Sequence, residues 1–127
     1  MIAVLFEVEP AAGQREAYLA EAAALRQRLE AIDGFVSIER FASLARPEKI
    51  LSLSFFRDES AVAAWRNDEA HRTAQERGRA GIFAAYRLRV AAVLRDYGLA
   101  EREEAPADSR ARHPPATGSG APARPGW

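Results

Sequence analysis

Two strand-forming stretches of this chain carry apolar residues on both faces, which narrows the fold more than any other feature. In "KILSLSFFR", Leu51, Leu53 and Phe55 alternate with Ile50, Ser52, Ser54 and Phe56. Further on, Leu88, Val90, Ala92 and Leu94 alternate with Arg87, Arg89, Ala91 and Val93. Side chains point to opposite faces at successive strand positions. A sheet made of such strands therefore has two faces to cover, not one.

The remaining elements supply one cover. Ile2 to about Glu9 reads as a strand, with Ile2, Val4, Phe6 and Val8 on one face and Pro10 ending it. A helix is expected from about Ala12 to Ile32, where Tyr18, Ala22, Leu25, Leu29 and Ile32 recur at helical spacing. Asp33-Gly34 closes it with a residue able to take positive φ. "FVSIERFAS" is a second strand, and a turn at Arg46-Pro47 leads into the third, so the two should form an antiparallel hairpin. Asp58 is a candidate N-cap for a second helix running to about Arg79, with Gly78 and Gly81 marking its end. The fourth strand spans roughly Ile82 to Tyr97.

The order β-α-β-β-α-β is that of the ferredoxin-like α+β fold, a four-stranded antiparallel sheet with both helices on one face. The other face needs a partner, and a second copy of the chain is the simplest one, giving a homodimer with sheet against sheet. Residues 1–99 are read as this domain. From residue 100 to 127 the composition turns to Pro, Ala, Gly, Ser and charges without periodicity, and an extended or disordered tail is expected.

Composition excludes several classes. A chain of 127 residues has room for one modest core. Its 18 basic and 18 acidic residues cancel, so neither nucleic acid nor an anionic membrane is the expected partner. There is no Cys, which removes disulfides, thiolate metal sites and Cys nucleophiles. The N-terminus shows strand alternation rather than a basic leader, and no apolar run reaches the roughly 20 residues of a membrane span. A cytoplasmic protein is expected.

The second helix has an unusual inner face. Glu59, Arg66, Glu69, Thr73 and Arg77 share one hydrophilic side. The opposite side holds Ala61, Ala64, Trp65, Asp68, His71, Gln75 and Gly78, flanked by Asn67, Arg72 and Arg79. Buried Asp, His and Gln need hydrogen-bond partners or a wet cavity, while Ala64, Ala74 and Gly78 leave space above the sheet. A cavity walled by Trp65 and rimmed by His71 is therefore expected. The alternative is that the polar residues bond to the sheet, the partner chain or the tail.

With this order, the segments "IDGFVSIERF", "KILSLSFFRDESAVAAWRNDEAHRTAQERGR" and "YRLRVAAVLRDYG" resemble the antibiotic biosynthesis monooxygenase domain family, and within it a bacterial subgroup of small monooxygenases. The resemblance covers roughly residues 1–105. It implies a dimeric α+β barrel with a pocket between helices and sheet in each subunit. Two activities are implied as alternatives.

In the cofactor-free quinone-forming branch, the second helix carries Asn, then Trp four residues later, then Tyr six after that, with an Arg from the last strand. The matching positions here are Ala61, Trp65 and His71, with Arg87 or Arg89 as the Arg. His71 would then be the base, Trp65 a wall for the ring, and Arg87 or Arg89 the anion stabiliser. Asp68, Gln75, Asn67, Phe55 and Tyr86 complete the candidate substrate-binding set. The partners implied are an aromatic phenol- or hydroquinone-like small molecule and O₂.

The haem-degrading branch pairs a Trp with a His ligand and needs an Asn on the first strand, where this chain has Phe6 and Glu7. If haem is the cofactor, His71 is its axial ligand. Otherwise no cofactor and no metal site is expected, since phosphate-cradling Gly-rich loops and clustered ligands are lacking. A third alternative is a binding protein that holds an apolar metabolite without turning it over.

Overall fold

The computed structural model describes residues 1–114. The chain forms two compact units, Met1–Ala92 and a second beginning at Val93. The first contains β1 (Ile2–Pro10), α1 (Arg15–Glu30), β2 (Phe35–Ala42), β3 (Ile50–Phe56), α2 (Glu59–Arg66), α3 (Glu69–Arg77) and β4 (Phe83–Ala92). The sheet order is β2-β3-β1-β4, and every neighbouring pair is antiparallel. The expected α+β, ferredoxin-like arrangement is what forms. No helix among the described residues is long and apolar enough to cross a membrane.

Local chemistry sets the boundaries. Gly13 takes φ +76, so α1 begins at Arg15 rather than Ala12. Gly34 takes φ +91 and returns the chain into β2, and a Cβ there would lie 2.9 Å from the Ala61 side chain. Glycine suits that turn for both reasons. The Asp58 carboxylate accepts from the Ala61 N–H at 3.0 Å and starts α2, as its sequence position suggests.

The single long second helix does not form. It breaks after Arg66, and the Asp68 side chain caps a new helix by accepting from the His71 N–H at 3.0 Å. Asn and Asp side chains offer the backbone an alternative to continued helix, and here Asp68 takes it. After α3 the chain widens into a π-type turn, Gly78–Ile82, and enters β4. That strand stops at Ala92, five residues short of the expected Tyr97.

Both helical layers pack on the face formed by Val4, Phe6 and Val8 of β1 and Ile50, Ser52, Ser54 and Phe56 of β3. The core is divided in two. Val8, Tyr18 and Ile50 form one cluster, against which Phe6, Ala22 and Phe83 pack. Leu29, Phe56 and Ala61 form the other, with Val4, Ile32, Ile38 and Trp65. The opposite sheet face presents Leu5, Leu51, Leu53 and Phe55, all partly exposed.

In the second unit, a stretch expected to be extended or disordered contains α4 (Ala107–Arg112). Arg102 organises it, donating to the Gly98 carbonyl, the Ser109 hydroxyl and the His113 carbonyl, with its guanidinium 5.2 Å from the Tyr97 ring centre. The rest of the expected tail, residues 115–127, lies outside the described residues.

Gly78 is buried where α3 gives way to the turn, and a Cβ at that point would run into the Phe83 ring. Gly78→Ala is therefore expected to destabilise the domain by about 1–3 kcal/mol through overpacking, despite the better helix propensity of Ala. Urea unfolding followed by circular dichroism measures this, and an Ala variant as stable as the parent would contradict the packing.

Candidate functional site

Between the two core clusters the helix–sheet interface is not filled. The sheet contributes Ser52 and Ser54 there, and the helices contribute Ala22, Ala74 and Gly78. Small side chains facing small side chains leave a cavity of about 370 Å³. Phe6, Tyr18, Trp65, Phe83, Tyr86 and Leu88 form much of its apolar wall. Ser52 and Ser54 are buried at 7% relative exposure. Among the described residues, neither hydroxyl is sealed away without a partner, so both open onto this space.

Trp65 and His71 stand together on the helical wall. Their rings stack at 4.2 Å between centroids, with 14° between planes. The break between α2 and α3 brings them there, since Trp65 lies in the last turn of α2 and His71 in the first turn of α3. His71 Nδ1 lies 3.0 Å from the Trp65 carbonyl oxygen. A carbonyl only accepts, so Nδ1 carries the proton in this bond and Nε2 keeps its lone pair. Desolvation holds the His71 imidazole below the usual histidine range, against the smaller opposing pulls of the Trp65 carbonyl and the Asp68 carboxylate. A neutral imidazole beside a cavity, its Nε2 without a partner among the described residues, has the chemistry of a base or a metal ligand.

Asp68 is a supporting residue rather than a cavity-lining one. Arg28 on α1 clamps its carboxylate at 2.8–3.2 Å. That clamp, with the His71 N–H, holds the Asp68 carboxyl below the usual carboxylate range. Gln75 and Tyr86 do line the cavity, and Tyr86 accepts a hydrogen bond from Arg79 at 3.1 Å.

Four other expected site residues lie elsewhere. Arg87 and Arg89 point to the opposite sheet face, because strand alternation gives the cavity side of β4 to Tyr86, Leu88 and Val90. Arg89 instead pairs with Glu7 at 3.2 Å, and Lys49 pairs with the same carboxylate at 3.2 Å. The Lys49 hydrogen bond chiefly holds Glu7 below the usual carboxylate range. Phe55 shares that outer face, in register with Ala3. Asn67 is the exposed C-cap of α2, and its side-chain oxygen accepts from Arg72 at 2.6 Å.

The residues missed from sequence are Tyr18, Arg40, Ser52 and Ser54. The available signal was polarity on inward strand positions, with Ser52 and Ser54 between Ile50 and Phe56, and Arg40 two residues after Ile38.

Residues 1–77 match the family described as antibiotic biosynthesis monooxygenase. The chain belongs to that family. Jasmonate monooxygenase ABM from the fungus Pyricularia oryzae is 48% identical to it over 93 residues, which is 73% of this chain and 43% of that protein. The chain thus spans less than half the length of this relative. Among solved structures of the same fold, Rv0793 from Mycobacterium tuberculosis superposes with a TM-score of 0.68 at 18% identity, covering 76% of this chain and 98% of the other. PA3566 from Pseudomonas aeruginosa gives 0.64 at 18% identity, covering 73% and 93%. Both likenesses concern the fold. The bacterial subgroup expected from sequence is not what the curated relative represents, since that relative is fungal.

The buried imidazole makes a testable statement about pH. In a His113→Gln variant, the one remaining imidazole should titrate by NMR with a midpoint below 6.5, the ordinary value. Because the folded midpoint is depressed, the unfolded chain takes up its proton first as pH falls. This contribution to stability is fully present above about pH 6.5 and declines as pH drops through the folded midpoint. Asp68→Asn, which keeps a capping side chain but removes the nearby charge, should move the midpoint lower still.

Proposed function

We propose that this member of the antibiotic biosynthesis monooxygenase family oxygenates a small cyclic substrate in the cavity beside Trp65, with His71 as the base and O₂ as the oxidant. The observation that carries the reading is the His71 geometry: Nδ1 committed to the Trp65 carbonyl at 3.0 Å, burial disfavouring the charged ring, and Nε2 without a partner among the described residues, at the edge of a cavity. Family membership supports the reaction class.

The reaction needs no cofactor if the substrate supplies the electrons. Nε2 removes a proton from an acidified C–H or phenolic O–H, and the resulting anion passes one electron to O₂. The substrate radical and superoxide then combine into a C–O bond, and loss of water from the hydroperoxide leaves a carbonyl. For an anthrone-type methylene the sum is R₂CH₂ + O₂ → R₂C=O + H₂O. Orienting the ring against Trp65 and excluding water are the protein's other contributions. Arg87 and Arg89 have no part in it, since they lie on the far side of the sheet. The fungal relative is named for a small organic substrate, jasmonate, and that supports a small-molecule substrate here.

Oxygen uptake with an anthrone-type or hydroquinone substrate tests the proposal. Uptake should fall at least about tenfold in His71→Phe, and in the parent it should fade as pH drops through the His71 midpoint, which burial places below the ordinary histidine value. Unchanged uptake in His71→Phe would remove His71 from the chemistry. A haemin titration separates the other use of Nε2: a Soret shift lost in His71→Ala would replace the cofactor-free reading with haem ligation.

We also propose that the chain works as a homodimer. Leu5, Leu51, Leu53 and Phe55 on the sheet face away from the helices support this. Sedimentation equilibrium at micromolar concentration should give twice the chain mass, and the single-chain mass would refute the dimer.

A further inference from the structure

Arg40 has an unusual position. It enters the cavity from β2, opposite Ser52 in register, and is partly buried. Among the described residues no carboxylate pairs with it. Its side-chain partner is Tyr18, whose hydroxyl accepts from Nε at a long 3.4 Å, with the guanidinium carbon 5.9 Å from the same ring centre. The two terminal nitrogens, the ends best suited to a planar anion, are left without a protein acceptor among the described residues.

The cavity's other charges do not compensate it. Glu21 is occupied by Arg77 at 2.8 and 3.1 Å, and Arg26 by Glu30 at 2.8 Å. Arg66 and Arg79 add further positive charge from exposed positions. A partly buried arginine without a counter-ion among the described residues attracts an anion, the more so with Arg66 and Arg79 on the same rim. Beside it lies the buried Ser52 hydroxyl, open to the same space and able to donate.

We propose that Arg40, with Ser52 and the Tyr18 hydroxyl, anchors a carboxylate of the substrate, so that the cavity selects small cyclic monocarboxylic acids over their neutral analogues. The proposal rests on this cavity being the substrate site. The anchor and the base sit toward different ends of it. Tyr18 belongs to the Val8–Ile50 cluster, whereas Trp65, on which His71 stacks, packs with Leu29 and Phe56. On β3 the Ser52 and Phe56 rows are four residues apart, about 13 Å at the usual strand rise. The carboxylate would hold one end of an elongated molecule while its ring lies against Trp65 and His71. Arg40 is a binding and orienting residue here, not a proton-transfer group.

Calorimetric titration with 2-naphthylacetic acid and its neutral amide tests this. The parent should bind the acid about tenfold or more tightly than the amide, the scale of a charge-assisted hydrogen bond. Arg40→Gln should bring the ratio to about one by weakening the acid alone, and Ser52→Ala should reduce the preference by a smaller factor, about threefold. Circular dichroism establishes that each variant is folded, and Arg72→Gln, exposed on α3 and outside the cavity lining, should keep the parent's ratio. Should Arg40→Gln fail to fold, the Ser52→Ala ratio decides: a preference left at the parent's value overturns the anchor. Equal binding of acid and amide by the parent, or a preference that survives Arg40→Gln, also overturns the anchor while leaving the cavity as the site. Failure of both ligands to bind overturns the anchor and the cavity reading together.

Discussion

The structure depends on a gap held open by small residues at the middle of its helix–sheet interface. Ser52 and Ser54 line the floor where core strands ordinarily carry Val or Ile, and Ala22, Ala74 and Gly78 stand across from them. Protein interiors tolerate few unfilled spaces larger than a water molecule, so a cavity of about 370 Å³ needs rigid supports at both ends. The divided core provides them. Val8, Tyr18 and Ile50 brace one end, and Leu29, Phe56 and Ala61 brace the other. At Gly78 the constraint is sharpest, because the helix end and the Phe83 ring approach so closely that no side chain fits between them.

The same economy of space shapes the site's chemistry. The helix break at Asn67–Asp68 stacks His71 on Trp65 and points its Nδ1 at the Trp65 carbonyl. One backbone hydrogen bond thereby selects the tautomer of the neutral ring, and burial disfavours its protonation. Arg28 reaches from α1 to hold Asp68, which in turn caps the helix bearing His71. The His71 ring is therefore held in part by Arg28 and Asp68, which do not line the cavity. The family and the proposed site rest on different observations. Membership follows from residues 1–77, whereas the role assigned to His71 follows from its bonds.

Much of the frame was legible before any coordinates. Strand alternation and helical spacing give the β-α-β-β-α-β order, and Asp58, Gly34 and the Arg46-Pro47 turn mark boundaries that the chain respects. The inward face of Trp65, His71 and Gln75 was also readable. What the sequence concealed has physical causes. A helical wheel does not register a second cap inside a helical pattern, so Asp68 looked like an inward residue instead of the start of a new helix. On β3 both faces are apolar, and only the tertiary packing decides that Ser52 and Ser54, not Leu51 and Phe55, meet the helices. For β4 the alternation was available: once Leu88 and Val90 face inward, Arg87 and Arg89 must face out. Arg40 was hidden for the opposite reason, since a charged residue on a half-exposed strand reads as solvent-facing until Tyr18 of α1 packs against it.

The central claim is that the space beside Trp65 and His71 holds the substrate. An anaerobic crystal structure of the full chain soaked with an anthrone-type substrate tests it most directly. The account predicts ring density between the Ser52–Ser54 floor and the Ala74 side of α3, with His71 Nε2 within hydrogen-bonding distance of the acidic group. Ligand on the Leu51–Phe55 face, or helices settled onto Ser52 and Ser54 with no space between, would contradict it.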